Sequence, residues 1–233
     1  MNIPYFFEPN LTTDSVILSD ANTHYMLQVL RMREGESFFL TNGLGEKYLC
    51  SIKTISKKKA EISVLERIFE ERRMTPLHLA IAFTKNPSRM EWLLEKVCEM
   101  GIETITPLLT QRSEKNYFKK ERFEKILTAA MLQSQQTYLP TLGEPKALQE
   151  IIETEYDQKL IAYCGQEYEK NSVINALRPG KSTLFLIGPE GDFTADEVHL
   201  CRQYQFSTIH LGVNRLRTET AGLFVCTLFN AIQ

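Results

Sequence analysis

Leu184-Phe-Leu-Ile-Gly-Pro-Glu-Gly-Asp-Phe193 and Leu211-Gly-Val-Asn-Arg-Leu-Arg-Thr-Glu-Thr-Ala-Gly222 decide how this chain is read. In each, an apolar strand gives way through glycine to a helix, which is where an open α/β sheet places a ligand. In the first loop Pro189 fixes φ, and Gly191 permits a conformation or a close approach closed to other residues. Amides ahead of a Thr194-capped helix then face the crevice and suit an anion. No Walker lysine follows, however, and the G-x-G-x-x-G spacing is absent. Glu190 would repel phosphate while suiting a cationic or hydroxyl-rich ligand. In the second loop Thr218 or Thr220 can cap the next helix, and Glu219 suits its first turn. Arg215 and Arg217 are not explained by capping, because cations are disfavoured at a helix N-terminus. They imply an anion nearby.

Outward from these loops, apolar strands alternate with helical patterns. The predicted elements are strand 77–84, helix 89–100, strand 104–109, helix 120–136, strand 159–164, strand 183–187, helix 195–204, strand 208–211 and a last helix over 220–232. Such alternation implies a parallel sheet covered by helices. Ser88-Arg-Met-Glu91 and Thr194-Ala-Asp-Glu197 have the capping-box form, and Gly101 supplies a left-handed stop after Met100. Tyr138 to Pro145 reads as an extended connection between two helices. Residues 1–72 differ in rhythm. Short alternating segments at 15–18, 37–41, 48–54 and 59–69, the turn Asn42-Gly-Leu-Gly45 and a helix over 21–30 suggest a small β-barrel or sandwich. Two domains follow, 1–72 and 73–233.

With 233 residues, 43% of them hydrophobic, the chain can fill one large core or two modest ones. It has no run of about 18 apolar residues, and its N-terminus lacks the order of a signal peptide, so a cytoplasmic protein without a membrane partner is expected. Five dispersed cysteines with no CxxC spacing argue against disulfides and zinc, and reduced buried thiols are expected; no metal site is expected. His78 and His210 lie in predicted strands and read as core or surface groups. A net charge of −2 argues against a nucleic-acid binder, yet only one face has to be basic. Arg31/Arg33, Lys57-Lys-Lys59, Arg72-Arg73, Lys119-Lys120 and Arg215/Arg217 could supply it.

The combination Leu-Ile-Gly-Pro-Glu-Gly-x-Phe, a Thr-x-x-Glu helix start and Leu-Gly-x-x-x-Leu-Arg-Thr-Glu-Thr-Ala resembles the C-terminal signature of the SPOUT methyltransferases. More narrowly it resembles RsmE, the bacterial 16S ribosomal RNA uridine N3-methyltransferase family. Lys85-Asn-Pro-Ser-Arg-Met-Glu-Trp-Leu-Leu-Glu-Lys-Val-Cys-Glu-Met-Gly-Ile102, Pro107 with Gln111-Arg-Ser113, Ala129-Ala-Met-Leu-Gln-Ser134 and His24-Tyr-Met-Leu-Gln-Val-Leu-Arg31 with Gly35 extend the resemblance over nearly the whole chain. The chain departs from the family at Asp192, where Gly is common, at Asn214-Arg215, where Arg-Ile is common, and at Gln136, where an Arg often stands.

The resemblance implies an α/β fold with a SPOUT-type parallel sheet and a C-terminal deep trefoil knot within about 183–233, preceded by a small PUA-like β-barrel that engages RNA. It implies S-adenosylmethionine as cofactor, held by Ile187, Gly188, Glu190, Gly191, Leu211, Gly212, Leu216 and Thr220. Arg217 and Glu219 are the expected catalytic pair: Arg217 stabilises an anion or the target phosphate, and Glu219 orients Arg217 or accepts a proton. Arg31, Arg33, Lys85, Arg112 and Arg215 are expected to contact RNA. The expected partners are 16S ribosomal RNA within the 30S subunit and a second copy of the chain, with the site at the subunit interface. Uridine N3 carries a weakly acidic proton and pairs inside a helix, so the base must be single-stranded or flipped out. An RNA-binding assembly factor without activity is the alternative. A nucleotide-binding enzyme would rest on the glycine loops alone.

Overall fold

The computed structural model describes residues 3–11, 18–56, 59–113 and 118–233. The chain divides into two compact units, Met1–Arg72 with Met131–Leu139, and Arg73–Ala130 with Pro140–Gln233.

In the first unit β1 (Tyr5–Phe7) runs parallel to β2 (Ser37–Thr41), which pairs antiparallel with β3 (Glu46–Ser56), and β3 with β4 (Lys59–Phe69). Among the described residues the ladder order is β1-β2-β3-β4, and no ladder joins β4 to β1. Alternation along the strands buries Phe6, Phe38, Leu40, Tyr48, Cys50 and Ile52 in one core. Met26 closes that core from a helix predicted as one piece over 21–30. It is instead a turn of α1 (Asp20–His24) that continues as a π-helix over Tyr25–Val29. Asn42 turns the β2–β3 connection by accepting from the Leu44 amide at 2.8 Å and the Glu46 amide at 3.3 Å. The strand expected over 15–18 falls, apart from Leu18, outside the described residues, as do Lys57 and Lys58 of the lysine run.

The second unit contains β5 (Leu77–Ile81), α2 (Pro87–Glu99), β6 (Thr104–Leu109), α3 (Lys120–Gln133, whose end reaches the first unit), β7 (Thr141–Leu142), β8 (Lys146–Ala147), α4 (Leu148–Ile152) and β9 (Gln158–Ala162). It continues with β10 (Asn171–Ser172), α5 (Val173–Ala176), β11 (Thr183–Ile187), α6 (Ala195–Gln203), β12 (Ser207–His210) and α7 (Thr218–Ala231). The strand order is β10-β12-β9-β11-β5-β6-β7, with β8 also on β6, and every pair is parallel. β5 and β11 are buried at every position, as the centre of a parallel sheet covered on both faces requires.

Two helix starts differ from the sequence reading. The N-cap of α2 is Asn86, whose Oδ1 accepts from the Ser88 amide at 3.1 Å; the Ser88 capping box does not form. Pro87 lacks an N–H and has φ preset for the first helical position, which moves the cap one residue ahead of it. α7 begins after Arg217, which puts Thr218 and Thr220 inside the helix, so neither caps it, and the Thr218 hydroxyl donates to the Gly188 carbonyl at 3.2 Å. The Thr194–Glu197 box does form: Thr194 Oγ1 accepts from the Glu197 amide at 3.2 Å, and Glu197 Oε2 from the Thr194 amide at 2.8 Å. Gly101 takes the left-handed conformation, φ 71°. The connection over 138–145 is split: Tyr138 and Leu139 belong to the first unit, whereas Thr141–Leu142 pairs with β6.

Candidate active site

Because β9, β11 and β12 are parallel neighbours, their C-terminal ends and following loops converge on one edge of the sheet. They enclose a cavity of 680 Å³, within the range of small-molecule sites. Of the residues expected to hold a cofactor, Ile187, Gly188, Glu190, Leu211, Gly212 and Leu216 line it, together with Arg215 and Arg217. Gly191 and Thr220 are not on its wall. Gly191 approaches another loop, and a Cβ there would lie 3.4 Å from Arg112 Cβ.

The sequence reading missed the third wall. Ala162, Tyr163 and Cys164 at the end of β9, with Gln166 and Lys170 beyond, complete the cavity. The signal was Cys164-Gly165, a strand-end glycine of the same kind as Gly188 and Gly212, without a proline or cap to mark it. Cys164 is also the exposed exception among the five thiols, the other four being buried. Partial shielding of its sulfur by the cavity wall, then the Asp192 carboxylate, raises its pKa, so it is a protonated wall group rather than a nucleophile. Burial, then the hydrogen bond to Glu167 at 2.7 Å, pushes the Tyr163 phenol up to about 12 and keeps it neutral.

Side chains tie the loops together. Arg215 Nη2 donates to the Glu190 carbonyl at 2.8 Å, joining the second glycine loop to the first. Asp192 is left-handed, φ 63°; one carboxylate oxygen accepts from the Cys164 amide at 2.9 Å and the other from the Phe193 amide at 2.9 Å. Lys170 Nζ donates to the carbonyls of Gly165 at 2.5 Å and Cys164 at 3.3 Å. Arg112 Nη1 donates to the Gly191 carbonyl at 2.7 Å, and Glu197 Oε1 accepts from the Gln111 amide at 2.8 Å. Two arginines expected at RNA therefore have their guanidiniums on the backbone of the 188–193 loop.

Arg217 is exposed on the cavity wall. Glu219 is buried and faces elsewhere: its Oε1 lies 3.6 Å from Arg89 Nε. The structure thus pairs Glu219 with Arg89 rather than with Arg217. Arg31, left-handed at φ 55°, and Arg33 are exposed in the first unit, and Lys85 is exposed after β5. No group of His, Cys, Asp and Glu among the described residues is arranged to hold a metal, and no described helix is long and apolar enough to cross a membrane.

The wall combines apolar groups (Ile187, Leu211, Leu216, Ala221) with the carboxylates Glu190 and Asp192 and strand-end main chain. That set fits a ligand with a flat aromatic ring whose edge needs main-chain partners, hydroxyls and a positive centre, as S-adenosylmethionine has.

The family model for an RNA methyltransferase domain matches residues 70–230, and that for an RNA methyltransferase PUA domain matches residues 18–65. Ribosomal RNA small subunit methyltransferase E of Buchnera aphidicola subsp. Acyrthosiphon pisum is 30% identical over 90% of this chain and 85% of that protein. A structure described as a "probable rRNA-methyltransferase" from Porphyromonas gingivalis superposes with a TM-score of 0.93 at 34% identity, covering 99% of this chain and 98% of that one. A Legionella pneumophila protein solved in complex with the cofactor SAM superposes with a TM-score of 0.85 at 26% identity, over 99% and 98% of the two chains.

Proposed function

Given that this chain belongs to the ribosomal RNA small subunit methyltransferase E family, an α/β methyltransferase domain behind a PUA-like domain, we propose that it transfers a methyl group from S-adenosylmethionine to N3 of one specific uridine in 16S ribosomal RNA. The observation that carries this reading is the convergence of three parallel strand ends on one cavity whose wall includes Glu190, Asp192 and Arg217. S-adenosylmethionine, when bound, supplies an electrophilic methyl group on a sulfonium.

The chain's own residues have to position the base and favour its N3 anion, so orientation and fixed charge carry the acceleration. Arg217, on the cavity wall with no side-chain hydrogen bond or ion pair among the described residues, is free to hold that anion or the target phosphate. Ile187, Gly188, Glu190, Leu211, Gly212 and Leu216 hold the cofactor. Gly191 supports its loop through the contact with Arg112, and Thr220 is an exposed residue of the first turn of α7. Glu219 acts through Arg89. Arg31, Arg33 and Lys85 face RNA, and Arg112 and Arg215 join them with the donors that the loop carbonyls leave over.

The trefoil knot belongs to the same reading. After β12 the chain comes back past Gly188, where Thr218 is anchored, and α7 packs on β5 and α2. A knot is rare enough that packing rules alone would not suggest it. The protein would act as a homodimer on the 30S subunit in the cytoplasm, the second copy covering the exposed Val213 beside the cavity.

The test is methyl transfer from labelled S-adenosylmethionine to 30S subunits isolated from cells lacking this gene, with nucleosides identified by mass spectrometry. N3-methyluridine at one site is the expected product. No calorimetric binding of S-adenosylmethionine and no transfer to 16S RNA or 30S subunits would overturn the proposal. RNA binding that persists in that case would select the assembly-factor reading.

A further inference from the structure

Asp192 holds a conformation that few residues accept. Its φ of 63° is left-handed, a region open to Gly and tolerated by Asn and Asp. Both carboxylate oxygens are used, one on the next amide, Phe193, and one on the Cys164 amide 28 residues earlier in the chain. Cys164 follows β9 and Asp192 follows β11, and these strands are paired up to Ala162 and Ile187. The bond to Cys164 therefore continues the sheet beyond its last ladder rung, through a side chain in place of a strand. The Cys164 turn is fixed at its carbonyl too, by Lys170. Cys164 and Asp192 both line the cavity, so the bond between them ties two of its walls together.

We propose that Asp192 is a positioning residue for the cofactor, a strut that holds the β9-end loop against the β11-end loop at the separation the cofactor requires. This rests on the reading of the cavity as the S-adenosylmethionine site. A merely local turn former would serve as well if it were glycine, since glycine takes the same φ without strain. The strut requires the second oxygen.

The experiment compares wild type with Asp192→Gly, which keeps the backbone angle and loses both acceptors, and with Asp192→Asn, which keeps the angle and one carbonyl acceptor. In ligand-free protein, exchange of the Cys164 amide is expected to accelerate about tenfold in D192G, reading the tether without any cofactor. Calorimetry is expected to give a Kd for S-adenosylmethionine raised about tenfold in D192G, as for a lost charge-assisted hydrogen bond, and less in D192N. The KM for 30S subunits is expected to stay within about twofold, the split that distinguishes positioning of the cofactor from general loss of structure. Wild-type cofactor affinity in folded D192G would overturn the role of Asp192 and leave the cavity reading standing. Absence of S-adenosylmethionine binding in wild type would overturn the cavity reading and the strut with it. Should D192G not fold, D192N carries the same comparison.

Discussion

Arg89 Nε stands 3.6 Å from Glu219 Oε1, and the Glu219 side chain is only 9% exposed. The pair joins the first turn of α2 to the first turn of α7, two helices that pack on each other. Arginine opposes the dipole at a helix start, and glutamate favours it, so Glu219 compensates for the poorly placed Arg89. A double-mutant cycle with Arg89→Ala and Glu219→Gln is expected to give a coupling of about 1 kcal/mol in urea unfolding. Turnover of Glu219→Gln should fall less than about tenfold. A loss of about a thousandfold at unchanged stability would instead make Glu219 the proton acceptor.

Arg217→Ala should lower the single-turnover rate of methyl transfer by about a hundredfold or more, the usual consequence of removing one donor aimed at developing negative charge. Binding of S-adenosylmethionine, followed by calorimetry, should change little. Equal losses in rate and cofactor affinity would assign Arg217 to the cofactor instead of the base.

His78 predicts a pH dependence. Burial, and then the charge of Lys146, lowers its pKa from 6.5 to about 4, and it is held by Thr106 Oγ1 at 2.8 Å and the Tyr156 hydroxyl at 3.1 Å. In the unfolded chain it protonates near 6.5, so between about 6.5 and 4 the unfolded state binds more protons. This contribution to stability is complete above pH 6.5 and disappears as pH falls through that window, at most about 3 kcal/mol. Urea midpoints measured from pH 7 to 4 should fall more steeply for wild type than for His78→Gln.

Gly222 lies where α7 crosses β5. A Cβ there would sit 2.8 Å from Ile81 Cδ1 and 3.2 Å from Leu93 Cδ1, so Gly222→Ala should cost about 1–3 kcal/mol in denaturant unfolding by overpacking. An unchanged midpoint would mean that Ile81 swings away freely.

Arg31 and Arg33 should behave as phosphate contacts. Replacing either by Ala is expected to reduce the slope of log Kd for 16S RNA against log salt by about 1. Arg215→Ala should reduce that slope by about 1 as well and in addition raise the Kd for S-adenosylmethionine about fivefold, through loss of the bond to the Glu190 carbonyl.

Strong periodicity made the large elements legible. Ser37–Thr41, Lys59–Phe69, Thr104–Leu109 and Thr183–Ile187 have the bounds that the sequence predicts. β1, β7, β8 and β10 were not legible, because two or three residues carry no period and become strands only when a neighbour's ladder recruits them. The cap of α2 was misplaced because Asn86 and Ser88 compete within three residues and Pro87 decides between them. At the site, two walls could be read from glycine and proline punctuation. The Cys164 wall depends on β9 lying between β12 and β11, a strand order that no local pattern encodes. The structural part of Arg112 was equally hidden, since its partners, the Gly191 and Phe193 carbonyls, are backbone atoms far along the chain.

Residues 131–139 complete the first unit: the Gly45 amide donates to the Thr137 carbonyl at 3.0 Å, the Leu139 amide to the Gly43 carbonyl at 2.9 Å, and Thr137 Oγ1 to Glu70 at 2.9 Å. During synthesis this unit cannot therefore finish folding when its first 72 residues have left the ribosome. It waits for the end of α3, by which time β5 and β6 have also emerged. The order of translation thus interleaves the two units, and a chain cut after Arg72 should emerge with the Gly43 carbonyl and the Gly45 amide unpaired, a liability for aggregation rather than a smaller working domain.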